Sequence, residues 1–366
     1  MPKSSCFLWC CANPINFDTY EGCSHRCAYC FTQFRNMGVK GQFKNVKRGE
    51  SADSLRRWIR GERGAREKWA AWNMPICWGR NSDPFQPLER EKKWSLEALR
   101  VFAETGYPFI VTTKSTLIAE EPYKSLFAKC NCVVQISMIC AEYDQLERGA
   151  PPYEARLACA AEMAKIVPRV IARWQPLYLE RRPAFDTRKA FRELPRLKAA
   201  GVYGVLVGMI KQPRPLKPYL SIRQGKYYAY PMPMIDGAYK RIREKCHENG
   251  LVFLAGDQQR FSDSLECCGT EGLGWEPNLC TTTRHFLAPE TYAERPCQCE
   301  PGTGCAWKNV YTRALAEDTF SKGSFAAHQR TLWDKKNEHV VRTGLRYNGA
   351  VKSSANRKGG DTDDQA

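Results

Sequence analysis

The chain has 366 residues, 43% of them hydrophobic, and a formal net charge of +17. That apolar fraction supports a sizeable core and excludes wholesale disorder, and the length fits two or three units, or one barrel with an appendage. No run of ~18 apolar residues occurs, so no membrane span is expected, and with no secretory apolar region (Phe7 to Ala12 is cut short by Asn13-Pro14) the 18 cysteines point to thiolate–metal chemistry in a reducing cytoplasm rather than to a disulfide framework.

From about residue 75 the pattern alternates. Pro75–Gly79 is a short apolar run. Leu88–Thr105 has helical spacing and stops at Gly106. Phe109–Thr113 reads as strand, Glu120–Ala128 as helix, Cys132–Ile139 as strand and Pro152–Val167 as an Ala-rich helix. Arg169–Trp174 is a strand, Asp186–Ala200 a helix ended by Gly201, and Tyr203–Met209 a strand. Met234–Asn249 is a helix with Gly250 as its left-handed cap, and Leu251–Ala255 is the last strand. With one unit before residue 75, the βα unit repeats about six times. The expected fold is α/β, a partial (β/α)6 TIM-type barrel with its active site at the C-terminal strand ends. The barrel is expected over residues 1–255, a cysteine-rich, loop-rich extension over 256–350, and a polar disordered tail over 351–366.

The charge is clustered. Residues 35–69, 165–200 and 208–245 each carry a net +7, and the remainder is net −4. Three basic blocks converging on one face would form the footprint of a polyanion, most often nucleic acid. The bland alternative is a set of solvated helix faces.

Cys23-Ser24-His25-Arg26-Cys27-Ala28-Tyr29-Cys30 is a C-x3-C-x2-C motif. Three thiolates on so short a loop can hold three irons of a [4Fe–4S] cube and leave one iron open. Zinc is the alternative, but its spacings usually pair C-x2-C with a distant pair. C-x3-C-x-aromatic-C is the signature of the radical SAM enzymes. Asn16 to His25 resembles the lead-in of the branch similar to spore photoproduct lyase, and Gly79-Arg80-Asn81-Ser82-Asp83-Pro84-Phe85-Gln86-Pro87 resembles that branch's "TDPYQP" segment. Thr113-Lys114-Ser115, Ser137, and Leu146 to Pro152 followed by Arg156-Leu157 continue the resemblance in order, over roughly residues 13–255.

The resemblance implies S-adenosylmethionine (SAM) on the open iron, reductive cleavage to a 5′-deoxyadenosyl radical, and hydrogen abstraction from a substrate carbon. It implies Tyr29 beside the adenine, Ser82 and Asp83 at the methionine end, and Lys114 and Ser137 at ribose or carboxylate. It also implies a one-electron donor such as flavodoxin or ferredoxin. In one respect the chain departs from the branch, which keeps a hydrogen-donor cysteine where Arg80 stands here. Cys77 and Cys140 are the candidate substitutes, although each also reads as a buried thiol.

Six further cysteines, Cys267, Cys268, Cys280, Cys297, Cys299 and Cys305, crowd the extension and are candidates for a second Fe–S cluster or a zinc site. Three functions follow. The first is a radical SAM enzyme acting on a thymine-derived base in DNA, by rearrangement of a modified thymine or by lyase-type repair. The second is a radical SAM enzyme on a peptide or small molecule. The third is a non-enzymatic zinc nucleic-acid binder.

Overall fold

Residues 3–4, 15–30, 46–62, 75–179, 187–212, 222–224, 227–256, 261–264 and 267–275 are described by the computed structural model. Strand β1 (Lys3–Ser4) runs antiparallel to β2 (Ile15–Phe17). A two-stranded clasp, β3 (Tyr20–Glu21) with β4 (Lys47–Arg48), precedes helix α1 (Ala52–Ile59). Alternation follows: β5 (Ile76–Trp78), α2 (Glu89–Lys92), α3 (Trp94–Thr105), β6 (Phe109–Thr113), α4 (Tyr123–Phe127), β7 (Cys132–Ser137) and α5 (Tyr153–Met163). The chain continues through β8 (Arg169–Leu177), α6 (Thr187–Phe191), α7 (Leu194–Ala199), β9 (Gly204–Met209), the hairpin β10 (Ile222–Gln224) and β11 (Tyr227–Ala229), α8 (Met232–Glu248) and β12 (Val252–Ala255).

The main sheet has the order β1-β2-β5-β6-β7-β8-β9-β12, and every pair from β2 onward is parallel. Each parallel strand lies beside its predecessor. Right-handed crossovers in such an order keep all helices on one face, which is the partial TIM-type barrel expected from the repeat. The strand alternation agrees. Ile76, Trp78, Val134, Ile136, Val170 and Ala172 belong to the large helix-side core, while Cys77, Ile110, Val133, Ile171, Leu206 and Leu254 form a second, inner cluster.

The helix-side core is dominated by rings. Trp78 has no exposed surface and lies 5.3 Å from Phe85, 5.4 Å from Phe102 and 5.8 Å from Phe109, centroid to centroid. Trp78→Ala should therefore cost about 3–5 kcal/mol. Urea unfolding of the purified variant measures it, and an unchanged midpoint would refute this packing role.

Two expected helices are split. The 88–105 pattern breaks at Lys93, whose backbone is left-handed (φ 54°, ψ 23°). The buried Glu89 carboxylate explains the break, because it accepts the N–H groups of Ser95 (2.9 Å) and Leu96 (2.8 Å) and so caps α3 from α2. The hydroxyls of Tyr20 and Tyr123 donate to the same carboxylate. The second split separates α6 from α7. Pro195 is accepted in the first turn of α7 but would clash with the carbonyl four residues earlier in a continuous helix. Strand β8 also outruns its expected end at Trp174, with a register irregularity before Leu177 where Pro176 has no N–H to give the ladder.

Candidate active site

The C-terminal ends of β2, β5, β6 and β7 carry the cysteine loop, the Gly79–Pro87 segment, Lys114 and Ser137. Four sets of bonds tie the loop to these strand ends. Gln86 accepts the Ser24 N–H (2.7 Å) and donates to the Gly22 carbonyl (3.1 Å). His25 Nδ1 donates to the Gly149 carbonyl (2.8 Å), and the Gly149 N–H returns a bond to the His25 carbonyl (2.8 Å). A Cβ at residue 149 would sit 2.6 Å from the His25 carbonyl oxygen, so only glycine permits this approach. The Ala28 N–H donates to Leu146 (2.7 Å), and the Tyr29 hydroxyl donates to Glu147.

Cys27 is buried, while Cys23 and Cys30 are partly exposed, and none of the three is in a disulfide. Burial pushes the Cys23 thiol far up, and the Asp83 charge adds to it. Burial raises Cys27 to about 11 against the opposing pull of Lys114. Such thiols stay protonated at neutral pH unless a metal displaces the proton. Among the described residues no three His, Cys, Asp or Glu side chains converge on a single ion. Tetrahedral zinc, with Zn–S bonds of about 2.3 Å, would draw its sulfurs to within about 3.8 Å of one another. A cube takes each thiolate on a different iron and accepts wider spacing. Three thiols on one short loop suit three irons of a [4Fe–4S] cube.

Asp83 is a structural joint. It accepts the Thr113 hydroxyl (2.7 Å) and the N–H groups of Lys114 (2.7 Å) and Phe85 (2.9 Å), and its Oδ2 lies 3.0 Å from His25 Nε2. Burial alone would raise its carboxyl, but His25 and these donors outweigh it and hold the group below the usual range. Its neighbour Ser82 donates through N–H (3.3 Å) and hydroxyl (3.4 Å) to the partly buried Asp18, whose carboxyl desolvation raises to about 6. Asn81 holds the same carboxylate by two more bonds.

Lys114 Nζ lies 5.7 Å from the Tyr29 ring centroid and 4.0 Å from Glu147. Burial opposes its charge, but Cys27 once ionised, together with Glu147 and Asp83, outweighs that penalty and raises it. Glu147 is also paired with Arg156 (2.5 Å), which has no exposed side-chain surface. Arg156 also holds Asp144 (2.6 Å) and donates to the Ser137 carbonyl (2.6 Å). The structure thus gathers Tyr29, Lys114 and Ser137 around a buried Glu147–Arg156 pair.

Cys77 and Cys140 separate. Cys77 is on the inner face of β5, with a guanidinium nitrogen of Arg80 3.1 Å from its Sγ. Cys140 belongs to the helix-side core, where burial raises its thiol. In the extension, Cys267 and Cys268 pack against the inner face of the sheet, while Cys280, Cys297, Cys299 and Cys305 lie outside the described residues. Some of the basic side chains are paired on the surface, as in Arg48–Glu97, Arg56–Glu104, Lys189–Glu142 and Arg196–Glu154. Residues 35–45, 63–69, 180–186, 213–221 and 225–226 of the basic blocks lie outside the described residues.

No family model matches the chain. Three uncharacterised proteins, one from Mycobacterium bovis and two from strains of Mycobacterium tuberculosis, are each 28% identical over 150 residues, which is 38% of this chain. The match spans only 42% of the length of these relatives. Among solved structures, a cysteine-to-alanine mutant of spore photoproduct lyase superposes with a TM-score of 0.50 at 15% identity, covering 69% of this chain and 78% of that one. A second mutant of that lyase, with bound AdoMet and dinucleoside spore photoproduct, gives 0.48 at 14% identity over the same shares. SuiB of Streptococcus suis, bound to S-adenosylmethionine, gives 0.46 at 12% identity over 67% of this chain and 51% of its own. The chain thus shares its fold with spore photoproduct lyase.

Proposed function

We propose that the chain is a radical SAM enzyme acting on a thymine-derived base in DNA, by rearrangement of a modified thymine or by lyase-type repair. The observation that carries the reading is the three-cysteine loop clamped over the C-terminal mouth of a singly wound parallel sheet. When bound, a [4Fe–4S] cluster with SAM supplies a 5′-deoxyadenosyl radical able to abstract hydrogen from an unactivated carbon. Cys23, Cys27 and Cys30 hold the cluster. Tyr29, Lys114, Ser82 and Ser137 line the SAM side, and Asp83 positions the loop through His25. Cys77, on the inner face, takes the role of hydrogen donor in preference to Cys140. A flavodoxin or ferredoxin supplies the electron.

The DNA part of the reading is supported by the +17 charge and by the ordered motifs that resemble the spore photoproduct lyase branch, while Arg80, which stands where that branch keeps its donor cysteine, favours rearrangement over lyase-type repair. Any second cluster or zinc would need ligands beyond Cys267 and Cys268.

The test is anaerobic incubation of the iron-loaded protein with SAM, reductant and candidate DNA, followed by mass spectrometry of nucleosides. The expected result is 5′-deoxyadenosine together with an altered thymine-derived nucleoside. Absence of SAM cleavage would overturn the enzyme reading. SAM cleavage with every DNA nucleoside unchanged would overturn the DNA reading and favour a peptide or small-molecule substrate.

A further inference from the structure

Four inner-face positions carry polar side chains that the radical chemistry does not use: Asn16 on β2, Gln135 on β7, and Arg173 and Gln175 on β8. Arg173 donates to Gln135 Oε1 (2.6 Å) and Gln175 Oε1 (2.5 Å). Both partners are neutral. Among the described residues no Asp or Glu pairs with the partly buried Arg173, although the fully buried Arg156 holds two carboxylates. Burial lowers the Arg173 guanidinium below its ordinary range, the nearby Arg80 charge adds to this, and Cys267, Cys268 and Cys77 are close enough to oppose it.

The guanidinium is also fixed in direction. Gln135 Nε2 donates to the Cys268 carbonyl (3.1 Å), which leaves its oxygen for Arg173. The segment carrying Cys268 is pinned beneath the sheet by Arg169, which donates to the Gly269 carbonyl (2.9 Å), and by Trp275, whose Nε1 donates to Asn131 (2.5 Å). Gly208 on β9 leaves the space that Gln175 fills, since a Cβ there would lie 2.6 Å from the Gln175 amide carbon. Across the face, Asn16 pairs in register with Cys77, and its Oδ1 is buried without a hydrogen-bond partner.

A partly buried guanidinium held by two neutral amides keeps unused N–H donors in a planar fork, the geometry that matches an oxyanion. We propose that Arg173, with Arg80 nearby, is the subsite for a phosphodiester of the substrate, drawn into the barrel together with the base. Asn16 is the acceptor left for a donor group of that base. The proposal rests on the nucleic-acid reading and assigns the residue that distinguishes a charged dinucleotide from a neutral one.

The test uses the iron-loaded protein and two probes, thymidylyl-thymidine and its methylphosphonate analogue, which has the same shape without the charge. Binding is measured by calorimetry, and SAM is titrated separately. Wild type should favour the charged probe by on the order of tenfold or more. Arg173→Gln should lose that preference and keep its SAM affinity, and Arg173→Lys should retain part of it. Equal binding of both probes by wild type overturns the subsite and leaves the nucleic-acid reading standing. Binding of neither probe overturns both. A loss of SAM affinity in Arg173→Gln, with the probe preference intact, reassigns the guanidinium to the SAM carboxylate and overturns the proposal.

Discussion

Cys27→Ala should abolish SAM cleavage, lower bound iron to near background, and leave the barrel folded. Cys27 is the deepest of the three thiols, at 6% exposure, and it sits between the other two on the loop. It is also the thiol on which Lys114 acts directly. A cube held by two thiolates instead of three loses one of its few protein bonds, and no other described cysteine belongs to this loop. The fold should survive because the loop lies outside the ring-packed core, whose cohesion comes from Trp78, Phe102 and Phe109. Removing a buried thiol at the edge should cost no more than an ordinary cavity, about 1–2 kcal/mol. Iron and sulfide analysis after anaerobic reconstitution, circular dichroism, and chromatographic assay of 5′-deoxyadenosine make the check. Full 5′-deoxyadenosine production by the variant would show that the cluster is held elsewhere. Loss of circular dichroism together with loss of iron would show that the loop is part of the core.

The cysteine motif was legible in the sequence because the three ligands of one group must be local, and eight residues contain them. The strands were legible because buried parallel strands read as apolar runs, and their alternation already separates Cys77 from its neighbours Ile76 and Trp78. What holds the loop was not legible. Gln86 meets Ser24 across 62 residues, His25 meets Gly149 across 124, and Tyr29 meets Glu147 across 118. A buried polar residue has no periodic signal of its own, since its meaning lies in a partner that only the fold brings near. Glu89 is the same case, because a glutamate in a helical pattern reads as solvated until the break at Lys93 shows it capping α3. Arg173 carried a faint signal, a charge at an inward position of an otherwise apolar strand, but nothing in the sequence said that its partners would be amides. The resemblance implied that Asp83 meets SAM, but nothing in the sequence showed its bonds to Thr113, Lys114 and Phe85 or its pairing with His25, which join the cysteine loop to the ends of β5 and β6.

Glu147→Gln should destabilise the protein and loosen the cysteine loop in one step. Glu147 is 4% exposed and Arg156 is fully buried, so neither charge has solvent to fall back on. Removing one partner of such a pair costs about 3–5 kcal/mol, because the other is left buried and undercompensated. Asp144 remains on Arg156, which favours the lower end of that range. The melting temperature should fall by on the order of ten degrees. The same carboxylate also receives the Tyr29 hydroxyl and balances Lys114, so the amide also weakens the seat of the residue between Cys27 and Cys30. Reconstituted iron should therefore drop along with stability, which a purely structural pair far from the loop would not cause. Pairing Glu147→Gln with Arg156→Met separates the two effects. The double variant removes the stranded charge and should recover part of the lost stability, giving a coupling of at least about 1 kcal/mol. Its iron content should stay low, because Tyr29 and Lys114 still lack their carboxylate. Strict additivity of the two substitutions in thermal unfolding would refute the buried pair, and full iron in Glu147→Gln would refute its hold on the loop.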